Sequence, residues 1–271
     1  MSGSLELRLL GQLEISADGQ SLLAQLSAKS AAILCLLICT EEKKLTRAKL
    51  SSMLWGDSFE TASYNLRYNL WNIRKVIPRD RNGQELILSD KEFCWRNPAY
   101  SVYCDLLEVR RLKEQAKRQA ALSERIELLK KLRALLSGEF MEQFYIRSSD
   151  EFNEWVLFER AACQLTLQVL HGLYTCCLKA EDAQTAAEAL AAELAENPYD
   201  EELHFQMMEL YLQMGQRPLA IRQYQECEAV LRRELNIMPQ KKLRQLYVKL
   251  QEEAEPSDAQ AKQHRKEGSR A

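Results

Sequence analysis

The chain has 271 residues, of which 46 % are hydrophobic, so it is long enough to form two domains with their own cores. Only 9 glycines and 6 prolines occur, which argues against an all-β fold and favours a mainly helical one. The formal net charge of −2 indicates no partner by itself, because the charges are unevenly distributed along the chain.

Cysteine spacing and the N-terminal residues restrict the class of protein. The eight cysteines form no CxxC motif and no Cys/His cluster, which favours buried thiols over disulfides or a metal site. We therefore expect no metal and no cofactor. A signal peptide is not expected, because Glu6 and Arg8 interrupt the first residues, and the apolar run 31–38 is too short to cross a bilayer. These features predict a soluble cytoplasmic protein without a membrane partner.

The first 40 residues predict a small antiparallel sheet followed by a buried helix. Hydrophobic residues alternate with polar ones over Leu5–Ile15, which is the period of a β-strand, and Asp18-Gly19 is a typical turn. A last strand is expected near Ser21–Leu26. The apolar stretch Ala28–Cys39 then predicts a helix, with Ser27 as its N-cap.

Two further helices and a hairpin follow. A helix is expected over Arg47–Trp55, and a short turn at Gly56-Asp57-Ser58 separates it from a helix over Thr61–Ile77. Strands at Glu85–Leu88 and Phe93–Trp95 would then form a hairpin. This order of helix, turn, helix and hairpin predicts a winged helix-turn-helix.

The helix over Thr61–Ile77 has the composition of a DNA-recognition helix. One face is an apolar stripe at spacings of three and four, formed by Ala62, Leu66, Leu70, Ile73 and Ile77. The other faces carry basic, aromatic and asparagine side chains without an acid, and these are the side chains that phosphates and base edges require. An ordinary amphipathic helix with few acids is the alternative interpretation.

Three segments resemble the N-terminal half of the SARP-type bacterial regulators, which carry an OmpR-type winged helix. These segments are LELRLLGQLEI, KLTRAKLSSMLWGD and NLRYNLWNIRKVI. The resemblance implies that the third helix lies in the major groove of double-stranded DNA. The implied DNA-binding residues, in the register set by Leu70 and Ile73, are Arg67, Tyr68, Trp71, Asn72, Arg74 and Lys75. Trp71 and Tyr68 have an alternative role in covering the domain core.

The predicted wing departs from the pattern of this family. Its tip, Ser89-Asp90-Lys91-Glu92, has more acidic than basic residues, whereas wings that contact DNA usually carry arginine or lysine. We therefore expect a weak minor-groove contact or none. Since one monomer offers few phosphate contacts, binding as a homodimer to repeated half-sites is expected.

The second half of the chain is predicted to be all-α. Helical patterns begin at Asp105, continue over about 123–136 and 151–178, and then form pairs with small residues at their contacts and a proline near each turn, which is typical of tetratricopeptide-like repeats. The segment ENPYDEELHFQMMELYLQMGQRPLAIRQYQECEAVLRRELNIMPQKKLRQLY resembles the bacterial transcriptional activation domain of SARP regulators. The expected domains are 1–103 (winged helix), 104–254 (helical activation domain) and 255–271 (disordered tail).

Residues for catalysis are not apparent in the sequence. His204 is expected to pack or cap a repeat helix, and a glycine-rich phosphate loop is absent, so no catalytic residues are assigned and an enzyme is not expected. The leading hypothesis is a DNA-binding transcriptional activator that contacts RNA polymerase or a regulatory protein through its helical repeats, located in the bacterial cytoplasm at the nucleoid. The alternative is a scaffold or signal-sensing adaptor that has lost DNA binding.

Overall fold

The computed structural model describes residues 5–40, 42–56, 59–136, 138–163 and 166–252, apart from the side chains of 59, 60, 162 and 163. The predicted fold class is confirmed: a small β part lies in the N-terminal region, and the C-terminal region is all-α. Contacts divide the described residues into two units. Unit 1 comprises residues within 1–119 and 128–166, and unit 2 comprises residues within 120–127 and from 167 onward.

The strands, in chain order, are β1 (Leu5–Arg8), β2 (Glu14–Ala17), β3 (Gln20–Ser21), β4 (Leu45–Thr46), β5 (Ile87–Ser89), β6 (Phe93–Arg96) and β7 (Val102–Cys104). The helices are α1 (Ala28–Cys39), α2 (Arg47–Trp55), α3 (Phe59–Val76), α4 (Asp105–Arg118), α5 (Leu122–Leu135), α6 (Asp150–Cys163), α7 (Thr166–Lys179), α8 (Ala183–Glu196), α9 (Glu201–Gln213), α10 (Arg217–Leu235) and α11 (Lys241–Glu252). The domain boundaries at residues 103 and 254 stay predictions, and the predicted tail lies outside the described residues.

The first sheet of unit 1 has the strand order β3-β2-β1-β7. β1 to β3 are antiparallel as predicted, and Asp18 and Gly19 form the turn with φ of 51° and 78°, which a two-residue hairpin requires. The strand predicted near Ser21–Leu26 is shorter than expected. It ends at Ser21 and continues as a 3-10 turn over Leu23–Gln25, because Leu22 and Leu26 both turn into the core.

The helix-turn-helix and the wing form the rest of the winged helix. Ser27 and Thr46 cap α1 and α2 as predicted, by accepting the backbone N–H of Ser30 and Lys49. The wing strands β5 and β6 pair with β4 in the order β4-β6-β5. β4 was not predicted, since it is only two residues long. The turn between α2 and α3 is described only at Gly56, because Asp57 and Ser58 lie outside the described part.

A buried carboxylate, Asp105, joins the start of α4 to the end of β1. Its Oδ2 accepts the backbone N–H groups of Leu9 and Leu10 at 2.8 and 2.9 Å, and its Oδ1 accepts that of Leu106 at 2.7 Å. Burial raises the pKa of this carboxyl, although the three backbone hydrogen bonds oppose the shift. Because the N–H groups of Leu9 and Leu10 are buried, each would be costly to leave without a partner.

The segment after α5 also packs on the N-terminal residues. The N–H of Met141 donates to the backbone carbonyl of Leu9 at 2.6 Å, and the N–H of Gly11 donates to the backbone carbonyl of Glu139 at 2.8 Å. A side chain at Gly138 would meet the Cα of Gly11 at 2.8 Å, so this close approach requires glycine. Two isolated β-bridges, at Leu10–Phe140 and Gln12–Glu142, also pair this segment with the N-terminal residues.

Helix α6 packs against α2 within unit 1. The Ser149 hydroxyl donates to the carbonyl of Leu54 at 2.8 Å, and the Ser52 hydroxyl donates to Glu151 at 2.7 Å. The guanidinium of Arg110 binds the carboxylate of Glu159 through two hydrogen bonds of 2.9 and 2.7 Å. The single helix predicted over 151–178 is described as α6 and α7, and residues 164 and 165 between them lie outside the described part.

Unit 2 has the predicted helix pairs. Ala186, Ala189 and Ala220 are fully buried at helix contacts, which confirms the role expected of small residues there. The carboxylates of Asp182 and Asp200 cap α8 and α9 by accepting backbone N–H groups in the first turn of each helix. Helices α10 and α11 share a core in which the rings of Tyr224 and Tyr247 stack with centroids 4.1 Å apart.

His204 of α9 is a buried packing residue, as predicted, and 5 % of its surface is exposed. Its Nε2 lies 3.1 Å from the carbonyl of Pro198, and its Nδ1 lies 2.8 Å from Nε2 of Gln223. Because a carbonyl only accepts, Nε2 carries the proton and Nδ1 accepts from the glutamine amide. Burial lowers the pKa of His204, so the imidazole is neutral at pH 7.

The seven cysteines with described side chains are buried thiols. Within the described residues, no group of three His, Cys, Asp or Glu side chains has a placement that suits a metal ion. Among the described helices, none combines the length and the hydropathy that crossing a bilayer requires.

Replacing Asp105 with alanine should destabilise unit 1. We expect Asp105→Ala to lower the free energy of unfolding by roughly 2–4 kcal/mol, because the buried N–H groups of Leu9 and Leu10 lose their acceptor. Tryptophan fluorescence during urea denaturation measures unit 1 alone, since Trp55, Trp71, Trp95 and Trp155 all lie in it. Glu114→Ala, on the exposed face of the same helix, is the control and should change stability little. Equal stability of both variants would contradict the proposed role of Asp105.

Acidification should destabilise unit 2 through His204. Its pKa in the folded state lies below that of the unfolded chain, so the unfolded state takes up a proton first as pH falls. The contribution of His204 to stability is therefore complete above about pH 6.5 and is lost as the pH falls from there towards the folded pKa. We expect thermal melts followed by circular dichroism to show a smaller loss between pH 7.5 and 5 in His204→Gln than in the wild type. Parallel slopes in the two proteins would disprove this.

Candidate nucleic-acid interface

The register of α3 is fixed by its buried face. Ala62, Leu66, Leu70 and Ile73 are each 1 % exposed, and Ile77 just after the helix is 5 % exposed, which confirms the predicted apolar stripe. This face packs against α1 and α2. The opposite face of α3 is therefore the exposed one.

A polar contact between α1 and α3, not predicted from the sequence, also holds the helix. Asn69 is buried; its Oδ1 accepts the Ser27 hydroxyl at 2.7 Å and the Ser30 hydroxyl at 2.8 Å, and its Nδ2 donates to the carbonyl of Asn65 at 2.8 Å. The sequence contained one indication of this contact. Asn69 lies next to Leu70 and three residues after Leu66, which places it on the buried face of the helix. A buried asparagine with all these bonds specifies one rotation of α3 about its axis.

The outward face of α3 is aromatic and basic. Tyr64, Tyr68 and Trp71 are 67 %, 55 % and 53 % exposed, at the spacing of one helical stripe. The rings of Tyr68 and Trp71 lie 5.9 Å apart, and Nζ of Lys75 lies 5.2 Å from the Trp71 ring. Arg67 is exposed beside this stripe and makes one long hydrogen bond, 3.4 Å, to the carbonyl of Ser63. Tyr64 shares this surface but was not among the predicted contact residues.

Asn72 and Arg74 are already engaged within the protein. The Oδ1 of Asn72 lies 3.0 Å from the Ser30 hydroxyl, whose single proton alternates between Asn69 and Asn72, and the Asn72 side chain is half-buried. Arg74 points to the wing: its Nη2 donates to Ser89 Oγ at 2.8 Å, and its Nε lies 3.5 Å from a carboxylate oxygen of Glu85. A direct DNA contact by either residue would therefore replace a contact that the structure already has.

The acidic residue at the wing tip has a structural role. Oδ1 of Asp90 accepts the backbone N–H groups of Glu92 and Phe93 at 2.8 and 2.6 Å. These two hydrogen bonds lower the pKa of Asp90, and the carboxylate holds the turn between β5 and β6. The absence of a basic cluster in the tip sequence follows in part from the requirement for this turn.

The model of the bacterial transcriptional activator domain family matches residues 104–251. The chain belongs to this family. The predicted resemblance to SARP-type regulators is confirmed, because the family domain follows a winged helix in the expected order.

Comparison with solved structures supports the fold of this chain. Mycobacterium tuberculosis EmbR, determined in complex with a low-affinity phosphopeptide, has a TM-score of 0.60 and 19 % sequence identity. The similarity covers 93 % of this chain and 66 % of the EmbR chain, so the chain spans just under two thirds of that protein. MamA has a TM-score of 0.24 at 17 % identity, over 56 % of this chain and 89 % of its own, which is too weak to carry an argument. No curated protein sequence matches the chain.

Removing Arg74 should loosen the wing. We expect Arg74→Ala to increase amide hydrogen exchange over residues 87–93, because Ser89 and the carbonyl of Ile87 lose a donor. Hydrogen–deuterium exchange with mass spectrometry measures this directly. Arg67→Ala, on the same helix but without a contact to the wing, is the matched control. Unchanged exchange in Arg74→Ala would show that Arg74 does not hold the wing.

Proposed function

We propose that this chain is a transcriptional activator that binds double-stranded DNA by inserting the outward face of α3 into the major groove. The observation that carries the proposal is the composition of that face: two cations and three exposed aromatic rings, without an acid among them. Cations suit phosphates and guanine edges, and aromatic rings pack on sugars and thymine methyl groups. The buried stripe and Asn69 fix this face in a single orientation, so no rearrangement of α3 is needed.

The six predicted contact residues differ in how they would act. Arg67, Tyr68, Trp71 and Lys75 are exposed and can contact DNA without breaking a strong internal bond. Asn72 could make two hydrogen bonds to an adenine only if its Oδ1 left Ser30. Arg74 would have to leave Ser89 and Glu85, so its main proposed role is to hold the wing beside the recognition helix.

We also propose that the helical repeats of unit 2 contact RNA polymerase or a regulatory protein, and that two copies bind repeated half-sites. The family match supports a role in activation. Exposed hydrophobic side chains at the end of α10 support a protein contact in unit 2: Leu235, Ile237 and Met238 are each about half exposed within four residues.

Loss of Arg67 should weaken DNA binding. In a selection from random duplexes we expect a repeated motif, and Arg67→Ala should bind that motif more weakly by roughly 1–3 kcal/mol. Fluorescence anisotropy at several salt concentrations gives the affinity and the number of ions released. Trp71→Ala should weaken binding too, with less effect on the salt dependence, since it removes no charge.

Arg222→Ala is the control for charge, since Arg222 is an exposed arginine of α10 paired with Glu226. If Arg67→Ala and Arg222→Ala bound the motif equally well, the assignment of α3 would be wrong. If no motif were enriched, the adaptor hypothesis would be favoured, in which the repeats bind a protein or a small signal and the winged helix does not bind DNA.

A further inference from the structure

A cleft of about 580 Å³ lies in unit 1, between the C-terminal end of α1, strand β6 and helix α4. We propose that it binds an acidic protein segment that carries a large apolar side chain. The site differs from both surfaces proposed above, because none of the lining residues belongs to α3 or to unit 2. Leu37 and Trp95 come from the winged helix, whereas Leu107 comes from the family-matched helical region.

The charge of the cleft indicates an acidic ligand. Lys43, Lys44 and Arg96 lie on its rim and form no ion pair with a residue that the structure describes. Glu42, an acid in the lining, is paired with Lys49 at 2.5 Å. The rim therefore offers three positive charges that form no ion pair within the described residues, although Lys44 also acts at longer range on the carboxylate of Asp90. Complementary charge directs a partner to such a surface.

The floor of the cleft is apolar and indicates a second feature of the ligand. Leu37 and Ile38 are buried at its base, and Leu107 and Pro98 complete the wall. The indole of Trp95 stands at one side, with Nζ of Lys44 4.1 Å from its ring centroid. A leucine or phenylalanine side chain would bury apolar area here, while flanking carboxylates would reach the lysines.

The position of the cleft favours a protein ligand over DNA. The N-terminal end of α1 donates hydrogen bonds to α3 through Ser27 and Ser30. The cleft, by contrast, is lined by the C-terminal end of α1, which begins there at Leu37. At 1.5 Å per residue, Ser30 and Leu37 are separated by about 10 Å along α1. Trp95 and Arg96 lie at the end of β6 that is away from the wing tip. A duplex on the outward face of α3 would therefore leave the cleft available.

Fluorescence anisotropy with the full chain tests the proposal. The probe is a fluorescein-labelled peptide of about 12 residues in which Asp and Glu flank a Leu-Phe pair. Two control peptides replace the acids by lysine or the Leu-Phe pair by Ser-Gly. We expect the acidic Leu-Phe peptide to bind at least about tenfold more tightly than either control at low salt.

Variants identify the cleft as the binding site. Lys43→Glu combined with Lys44→Glu should weaken binding at least about tenfold, and Pro98→Glu should weaken it without altering either lysine. The control, Lys131→Glu with Lys241→Glu, makes the same charge change on exposed residues outside the cleft and should retain wild-type affinity. Arg67→Ala should also retain it, so a failure of DNA recognition would not affect this test.

Two outcomes would overturn the proposal. The first is equal binding of the acidic peptide by the wild type and the Lys43/Lys44 variant, or no binding by the wild type. The second is displacement of the peptide by duplex DNA together with loss of DNA affinity in the Lys43/Lys44 variant. That result would make the cleft part of the nucleic-acid surface.

Discussion

The structure of unit 1 depends on one buried carboxylate. The carboxylate of Asp105, the first residue of α4, accepts backbone N–H groups just after β1 and in α4. The N-terminal strand and the first helix of the activator domain therefore share one hydrogen-bond acceptor. A side chain that completes the backbone hydrogen bonding of two distant segments joins them more specifically than apolar packing does. Together with the contacts of α6 with α2 and of residues 139–142 with residues 9–12, these bonds join the winged helix and the first helices of the family domain in one unit, although the family match begins at residue 104.

The same principle governs helix α3. Its apolar stripe would tolerate small rotations, but Asn69 accepts two hydroxyl groups of α1 and permits one rotation only. Arg74 then fixes the wing relative to the helix. The outward face can be rich in aromatic and basic groups because the buried face and these polar contacts alone stabilise the position of α3. The apolar stripe and Asn69 thus lie on the side of the helix opposite its exposed aromatic residues.

The features that local sequence determines were predictable. The helical period placed Leu66 and Leu70 in the core, and the capping residues Ser27 and Thr46 followed from their positions before helices. The bonds of Arg74 were not predictable, because an arginine on a helix surface has several partners within reach and only the fold decides among them. The pairing of β7 with β1 was also missed, since a three-residue strand has no clear periodicity and its partner lies almost 100 residues away.

The pairing of residues 9–12 with residues 139–142 has a consequence for how the chain folds during synthesis. The first strand leaves the ribosome early, but its neighbours β7, Asp105 and the segment at Met141 are made much later. Contacts over such sequence separations form slowly, because closing the long loop precedes any gain from them. The N-terminal strand can pair with β2 early, but its other contacts form late, and a fragment that ended before residue 105 would expose the backbone that Asp105 otherwise covers.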